Sequence, residues 1–178
     1  SLPVAEIVRI YGAIGGVPAS LDKWDAAKSC KDNICRLVLT SSGALYGEAD
    51  AVISAELREL SAYSTILAAI ARGENKLNDI FHATGFSRAK ISVYLKNLAT
   101  FNIVEKVVSF ETGGWENAKK GVYQIKDTFV NFWFKFVYPN MSNLYLLSPE
   151  EFYDTYIEKE LDAYLERYFR EVCTEYLL

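Results

Sequence analysis

Thr84-Gly85-Phe86-Ser87-Arg88-Ala89-Lys90-Ile91-Ser92-Val93-Tyr94-Leu95-Lys96-Asn97-Leu98 is the stretch on which the fold turns. Thr84-Gly85-Phe86 reads as a tight turn. Ser87 is a good N-cap, because its hydroxyl can accept from the free backbone N–H groups of the next turn. A helix from about Arg88 to Ala99 follows. Ile91, Leu95 and Leu98 recur at helical spacing and face inward. That turns Ala89, Ser92, Val93 and Lys96 outward, with Lys90 and Asn97 flanking them and Ser87 and Arg88 at the N-terminal end.

Working outward, the upstream residues supply two more helices. Tyr63, Ile66, Leu67 and Ile70 share a face of a helix ended by Gly73, and Leu77, Ile80 and Phe81 share a face of a short second one. Downstream the period changes from about 3.6 to 2. Residues 103–110 read as a strand, the Gly-containing stretch to Lys120 as a loop, and residues 121–125 as a return strand. Three helices followed by a hairpin is the order of a winged helix-turn-helix, expected over residues 61–127. The flanks read as helical. Val4, Ile7, Val8 and Tyr11 begin the chain, Ile34, Leu37 and Val38 mark another helix, and a short helix follows around residues 51–60. The aromatic run Phe129, Phe132, Trp133, Phe136 stops at Pro139. Ser148-Pro149-Glu150-Glu151 is a helix-start signature, and that helix is expected to run to the C-terminus, offering Tyr156, Leu161, Tyr164, Tyr168, Phe169 and Val172 for burial. The fold class is thus mainly α with a small β hairpin, a winged helix-turn-helix flanked by helical segments.

Composition narrows the function. About half of the 178 residues are hydrophobic and a quarter charged, enough for a packed core. No apolar run approaches the roughly 20 residues that span a membrane. Three cysteines, Cys30, Cys35 and Cys173, are an odd and sparse set, so a cytoplasmic setting is expected. The net charge of −4 is unevenly spread. Residues 61–127 hold nine Lys/Arg against six Asp/Glu, whereas 1–60 hold six against eight and 128–178 four against nine. A polyanion partner therefore fits the middle third.

Ser87, Arg88, Lys90, Ser92 and Lys96 are the candidate nucleic-acid contacts on the third helix, with Lys119 and Lys120 at the wing. Small residues allow close approach, and the cations reach phosphates or base edges. The alternative is a winged helix used only for protein contacts. The cluster Gly12 to Pro18 matches neither phosphate-binding glycine pattern and reads as a helix-breaking turn. His82 is the only histidine, which argues against a metal site and against a Ser/His/Asp triad. Glu158, Asp162 and Glu166 read as the solvated face of the last helix. No complete catalytic constellation exists, so no enzyme activity and no cofactor are expected in these residues alone.

Taken in order, Gly15-Gly16-Val17-Pro18, Lys76-Leu77-Asn78-Asp79-Ile80, the stretch from Thr84 to Leu98, Gly121-Val122-Tyr123-Gln124-Ile125-Lys126-Asp127 and Phe132-Trp133-Phe134-Lys135-Phe136-Val137-Tyr138-Pro139 resemble the C-terminal half of the prokaryotic "archaeal ATPase" family, AAA-type, STAND-like P-loop ATPases. The resemblance implies a helical lid over residues 1–60, a winged helix over 61–127 and the start of a PD-(D/E)XK nuclease-like domain over 128–178. It implies ATP and Mg²⁺ in a full-length protein, an upstream ATPase core as a partner, and a nucleotide-sensing place for Gly15, Gly16 and Pro18. Double-stranded DNA is the partner expected from the cations of the third helix, though the sequence leaves strand preference open. Phe169-Arg170 departs from the Phe-Glu the family would show: either Glu171 substitutes by a one-residue offset, or the nuclease-like domain is inactive. Two other readings compete with it: a transcription regulator dimerised through the last helix, and a protein-interaction platform.

Overall fold

In the computed structural model residues 3–54, 57, 59–108 and 121–177 are described. Among them the chain is mainly α-helical with one two-stranded antiparallel hairpin. The helices are α1 (Val4–Ile14), α2 (Pro18–Leu21), α3 (Cys30–Ile34), α4 (Glu48–Ser54), α5 (Leu60–Ala71), α6 (Leu77–Thr84) and α7 (Arg88–Thr100). The strands β1 (Val104–Val107) and β2 (Val122–Ile125) follow, then α8 (Thr128–Phe132), α9 (Met141–Leu144), α10 (Pro149–Tyr156) and α11 (Glu158–Leu177). Two compact units result, residues 51–135 and residues 1–50 with 136–178.

Residues 51–135 hold the three helices and the hairpin. Ile66, Leu67 and Ile70 of α5, Ile80 of α6 and Ile91, Leu95 and Leu98 of α7 are buried together with Ile103, Val104, Ile125, Phe129 and Val130. Burying each such side chain contributes about 1.5–3 kcal/mol. Two punctuation points set the turns. Gly85 closes α6 at φ 70°, a left-handed conformation a side chain would strain. Asn102, at φ 57°, turns α7 into β1, and the Ile103 N–H reaches back to the Leu98 carbonyl at 2.9 Å. The hairpin pairs Val104 with Ile125 and Val107 with Val122. Tyr123 N–H also donates to the Asn75 carbonyl at 2.7 Å, tying β2 to the α5–α6 turn. The expected strand over 103–110 is observed over Val104–Val107, and the expected wing loop lies outside the described residues.

In the other unit α1 packs on α11 and α10 packs on the π-helical turn Cys35–Leu39 that continues α3. Tyr11 meets Tyr168 edge-on at 5.9 Å and Phe136 meets Tyr164 at 5.1 Å. Two expectations for the last segment need correction. The helix opened at Ser148 stops at Tyr156, and α11 restarts at Glu158. Ile157 at the joint is fully buried, with φ −112° and ψ −51°. The break lets Phe152 and Tyr153 before it, and Leu161, Leu165 and Tyr168 after it, all reach the interior. Phe169, read as a core residue, is instead 51% exposed, because Leu165 and Tyr168 already define the buried stripe of α11. Among the described residues no helix is long and apolar enough to cross a membrane.

Candidate nucleic-acid interface

Ser87 caps α7: its hydroxyl accepts from the Lys90 N–H at 3.2 Å. Its φ of −61° and ψ of 148° are the extended backbone such a cap requires. Inward-facing Ile91, Tyr94, Leu95 and Leu98 fix the rotation of the helix. Ala89, Ser92, Val93 and Lys96 are left exposed, with Val93 at 56%. Ser92 and Lys96 stand one turn apart on this face. No ion pair holds Lys96 among the described residues.

The other two cations of α7 are engaged within the unit. Arg88 lays its guanidinium over the Phe81 ring at 4.0 Å and donates to the Asn78 side-chain carbonyl at 2.6 Å. It thereby joins the start of α7 to α6 while staying exposed. Lys90 lies 3.8 Å from a Glu59 carboxylate oxygen and over the rings of Phe86, at 4.6 Å, and Tyr94, at 5.3 Å. The Tyr94 hydroxyl donates to the same carboxylate. The Tyr94 phenol is pushed up to about 12, chiefly by that hydrogen bond, then by burial and by the negative charge of Glu59. Tyr94 also stacks on Tyr63 at 4.3 Å, and Asn97 donates to the Tyr63 hydroxyl at 2.8 Å.

The candidates Ser87, Arg88, Lys90, Ser92 and Lys96 thus share one helix. Lys119 and Lys120 lie outside the described residues. The link of Glu59 to Lys90 is made by tertiary packing and leaves no signal in the sequence. Tyr94, one turn from Lys90, was legible by spacing.

Gly15, Gly16 and Pro18 form the turn between α1 and α2. Gly15 ends α1 at φ 76° and ψ −169°, donating its N–H to the Tyr11 carbonyl at 2.9 Å. Pro18 starts α2, a helix of one turn with the sequence Pro-Ala-Ser-Leu. The turn residues Gly15, Gly16, Val17 and Pro18 carry no positive charge, so they do not by themselves fit a phosphate group. Among the described residues no group of three His, Cys, Asp or Glu side chains is placed to hold a metal ion. His82 is exposed and packs edge-on against Phe81 at 5.1 Å. Glu158, Asp162 and Glu166 are exposed along α11.

Residues 133–178 match the family DUF234, described as archaeal and bacterial proteins of unknown function. The chain is also 31% identical, over 179 aligned positions, to an uncharacterized protein of Methanocaldococcus jannaschii. That alignment covers 97% of this chain and 38% of the relative, so the chain spans less than half the length of the relative it matches. No solved structure matches the chain.

Proposed function

We propose that residues 51–135 are a winged helix-turn-helix that binds the phosphate backbone of double-stranded DNA through α7. The observation that carries this reading is the outward face of α7: small residues Ala89 and Ser92 beside Lys96, a cation held by no ion pair among the described residues. A helix face of that kind can approach a polyanion closely and neutralise it. One free lysine and one exposed arginine favour backbone contact over base-specific readout, which calls for several bidentate side chains.

The longer relative supports a second part of the reading. The chain serves as one region of a longer protein, an ATPase by the resemblance of its motifs, in which ATP and Mg²⁺ would be held by segments other than those described. These residues would then supply nucleic-acid binding and inter-domain contacts, and carry no catalytic centre of their own.

Fluorescence anisotropy of the whole chain with a labelled duplex at several salt concentrations tests the first part. Binding is expected at low salt, weakening by a log–log slope of about 0.9 per phosphate contacted. Ser92→Glu with Lys96→Glu is expected to weaken it by about tenfold or more, since each exposed residue then repels the backbone. Absence of binding at low salt, or binding indifferent to this double variant, would remove the nucleic-acid reading. Exposed Val93 would then favour α7 as a protein-docking face.

A further inference from the structure

We propose that Glu59 is an internal competitor of phosphate: its carboxylate occupies Lys90 and restrains the affinity of α7 for nucleic-acid backbone. The inference rests on the reading of α7 given above and names a device that limits it. Three cations lie on or beside the outward face of α7, and one of them, Lys90, is matched by a carboxylate 3.8 Å away.

The carboxylate is held where it is by the fold. The Glu59 backbone begins α5, its carbonyl accepting from the N–H groups of Ala62 at 3.1 Å and Tyr63 at 3.3 Å. Its side chain is fixed a second time by the Tyr94 hydroxyl. Tyr94 in turn packs against Tyr63 of α5, so the acid is anchored through the tyrosine to the helix it begins. A lone surface carboxylate on a flexible stem would lack this anchoring.

The same geometry makes the pair separable. The Glu59 side chain is 65% exposed and that of Lys90 39% exposed. A phosphate can therefore reach Lys90 from solvent, and the displaced carboxylate stays hydrated and bonded to Tyr94. Lys90 meanwhile remains over the Phe86 and Tyr94 rings, which hold a cation in place without neutralising it. Nucleic acid must outbid an anion already present, so weak contacts are penalised most.

Glu59→Gln tests this in the whole chain. Glutamine keeps the shape and an acceptor for Tyr94 but removes the charge. Exposed ion pairs of this kind are modest, so binding of a labelled duplex at low salt is expected to tighten by about threefold. Its salt slope is expected to steepen by about 0.9, one phosphate's worth. The gain should vanish in a Lys90→Gln background. It should be absent in Glu74→Gln, which removes an equal charge from the Arg72 pair of the same unit. In the absence of DNA, Tyr94 should ionise at lower pH in Glu59→Gln than in the parent. An unchanged Tyr94 titration would overturn the contact itself. Unchanged affinity in Glu59→Gln, with Lys96→Glu still weakening binding, would overturn the competitor role and leave the DNA reading intact. A gain that persists without Lys90, or that Glu74→Gln matches, would also overturn it, as a general charge effect. No binding by any variant at low salt would overturn both.

Discussion

Tyr164 donates a 3.0 Å hydrogen bond from its phenol to the backbone carbonyl of Gly12, across 152 positions of sequence. The approach depends on Gly12 lacking a side chain. A Cβ there would collide with the Leu165 side chain and lie 3.3 Å from the Tyr168 ring. A mid-helix glycine ordinarily costs about 1 kcal/mol relative to alanine, so its use in α1 points to packing. Tyr164→Phe is expected to lower the unfolding free energy by about 1 kcal/mol. Gly12→Val is expected to lower it by about 2 kcal/mol through overpacking. Urea unfolding followed by circular dichroism checks both. Gly12→Ala unfolding at higher urea than the parent would mean that Leu165 yields freely and that the close approach is incidental.

Asn33 is a fully buried polar side chain that organises the turn before α3. Its carbonyl oxygen accepts from the Asp25 N–H at 2.9 Å and from Arg36 at 3.0 Å, and its amide donates to the carbonyls of Asp25 at 2.9 Å and Ser29 at 3.1 Å. Asn33→Leu leaves several buried groups without partners, each costing about 1–3 kcal/mol. The expected loss is therefore about 3 kcal/mol, read by the same urea titration. A loss below about 1 kcal/mol would mean that water replaces the amide in that turn.

Cys30 and Cys35 are expected to be inert thiols. Burial is the main cause that pushes each up to about 12, with the Glu6 carboxylate adding for Cys30 and the Glu150 carboxylate for Cys35. A free thiol near 8.5 is roughly a quarter thiolate at about pH 8. Cys35, which is buried, and Cys30, which is partly buried, would be thiolate at about one part in ten thousand, so a disulfide reagent should label them about a thousandfold more slowly in the folded protein than in urea. A Cys173→Ser background isolates the pair. Labelling at equal rates in both states would place these thiols at the surface.

Helix faces were the most legible part of the sequence. The spacing of Ile91, Leu95 and Leu98 set the rotation of α7, and Ser87 and Gly85 marked its entry through local chemistry that needs no tertiary context. The hairpin was visible as a change of period. The joint at Ile157 was not, because Glu158, Asp162 and Glu166 continue the pattern of α10 with no glycine or proline between. That break is imposed by packing, as is the exposure of Phe169. Of the candidate interface, the helix and its outward residues were readable. The engagement of Arg88 with Asn78 and Phe81, and of Lys90 with Glu59, was not, since each joins residues of different elements.

The two capping boxes make the stability of the unit formed by residues 1–50 and 136–178 depend on acid. Asp32 accepts from the Ser29 hydroxyl at 2.7 Å and from its N–H at 3.3 Å, in that order of effect, and both hold the carboxyl below the ordinary aspartate range. Glu151 is held low by the Ser148 N–H at 2.9 Å and then by its hydroxyl, also at 2.9 Å. A depressed folded value means that the unfolded chain binds more protons in the window between the two values, so stability rises with pH there. The contribution is complete above the ordinary carboxylate range, about pH 3.9 for Asp and 4.3 for Glu, and is lost as pH falls through the lower folded values. The urea midpoint is therefore expected to drop as pH is taken from about 6 to 3. In Asp32→Asn with Glu151→Gln, the midpoint should be lower than the parent's at about pH 6 and should change less on acidification. Parallel curves for parent and double variant across that range would show that neither carboxyl contributes to the acid dependence.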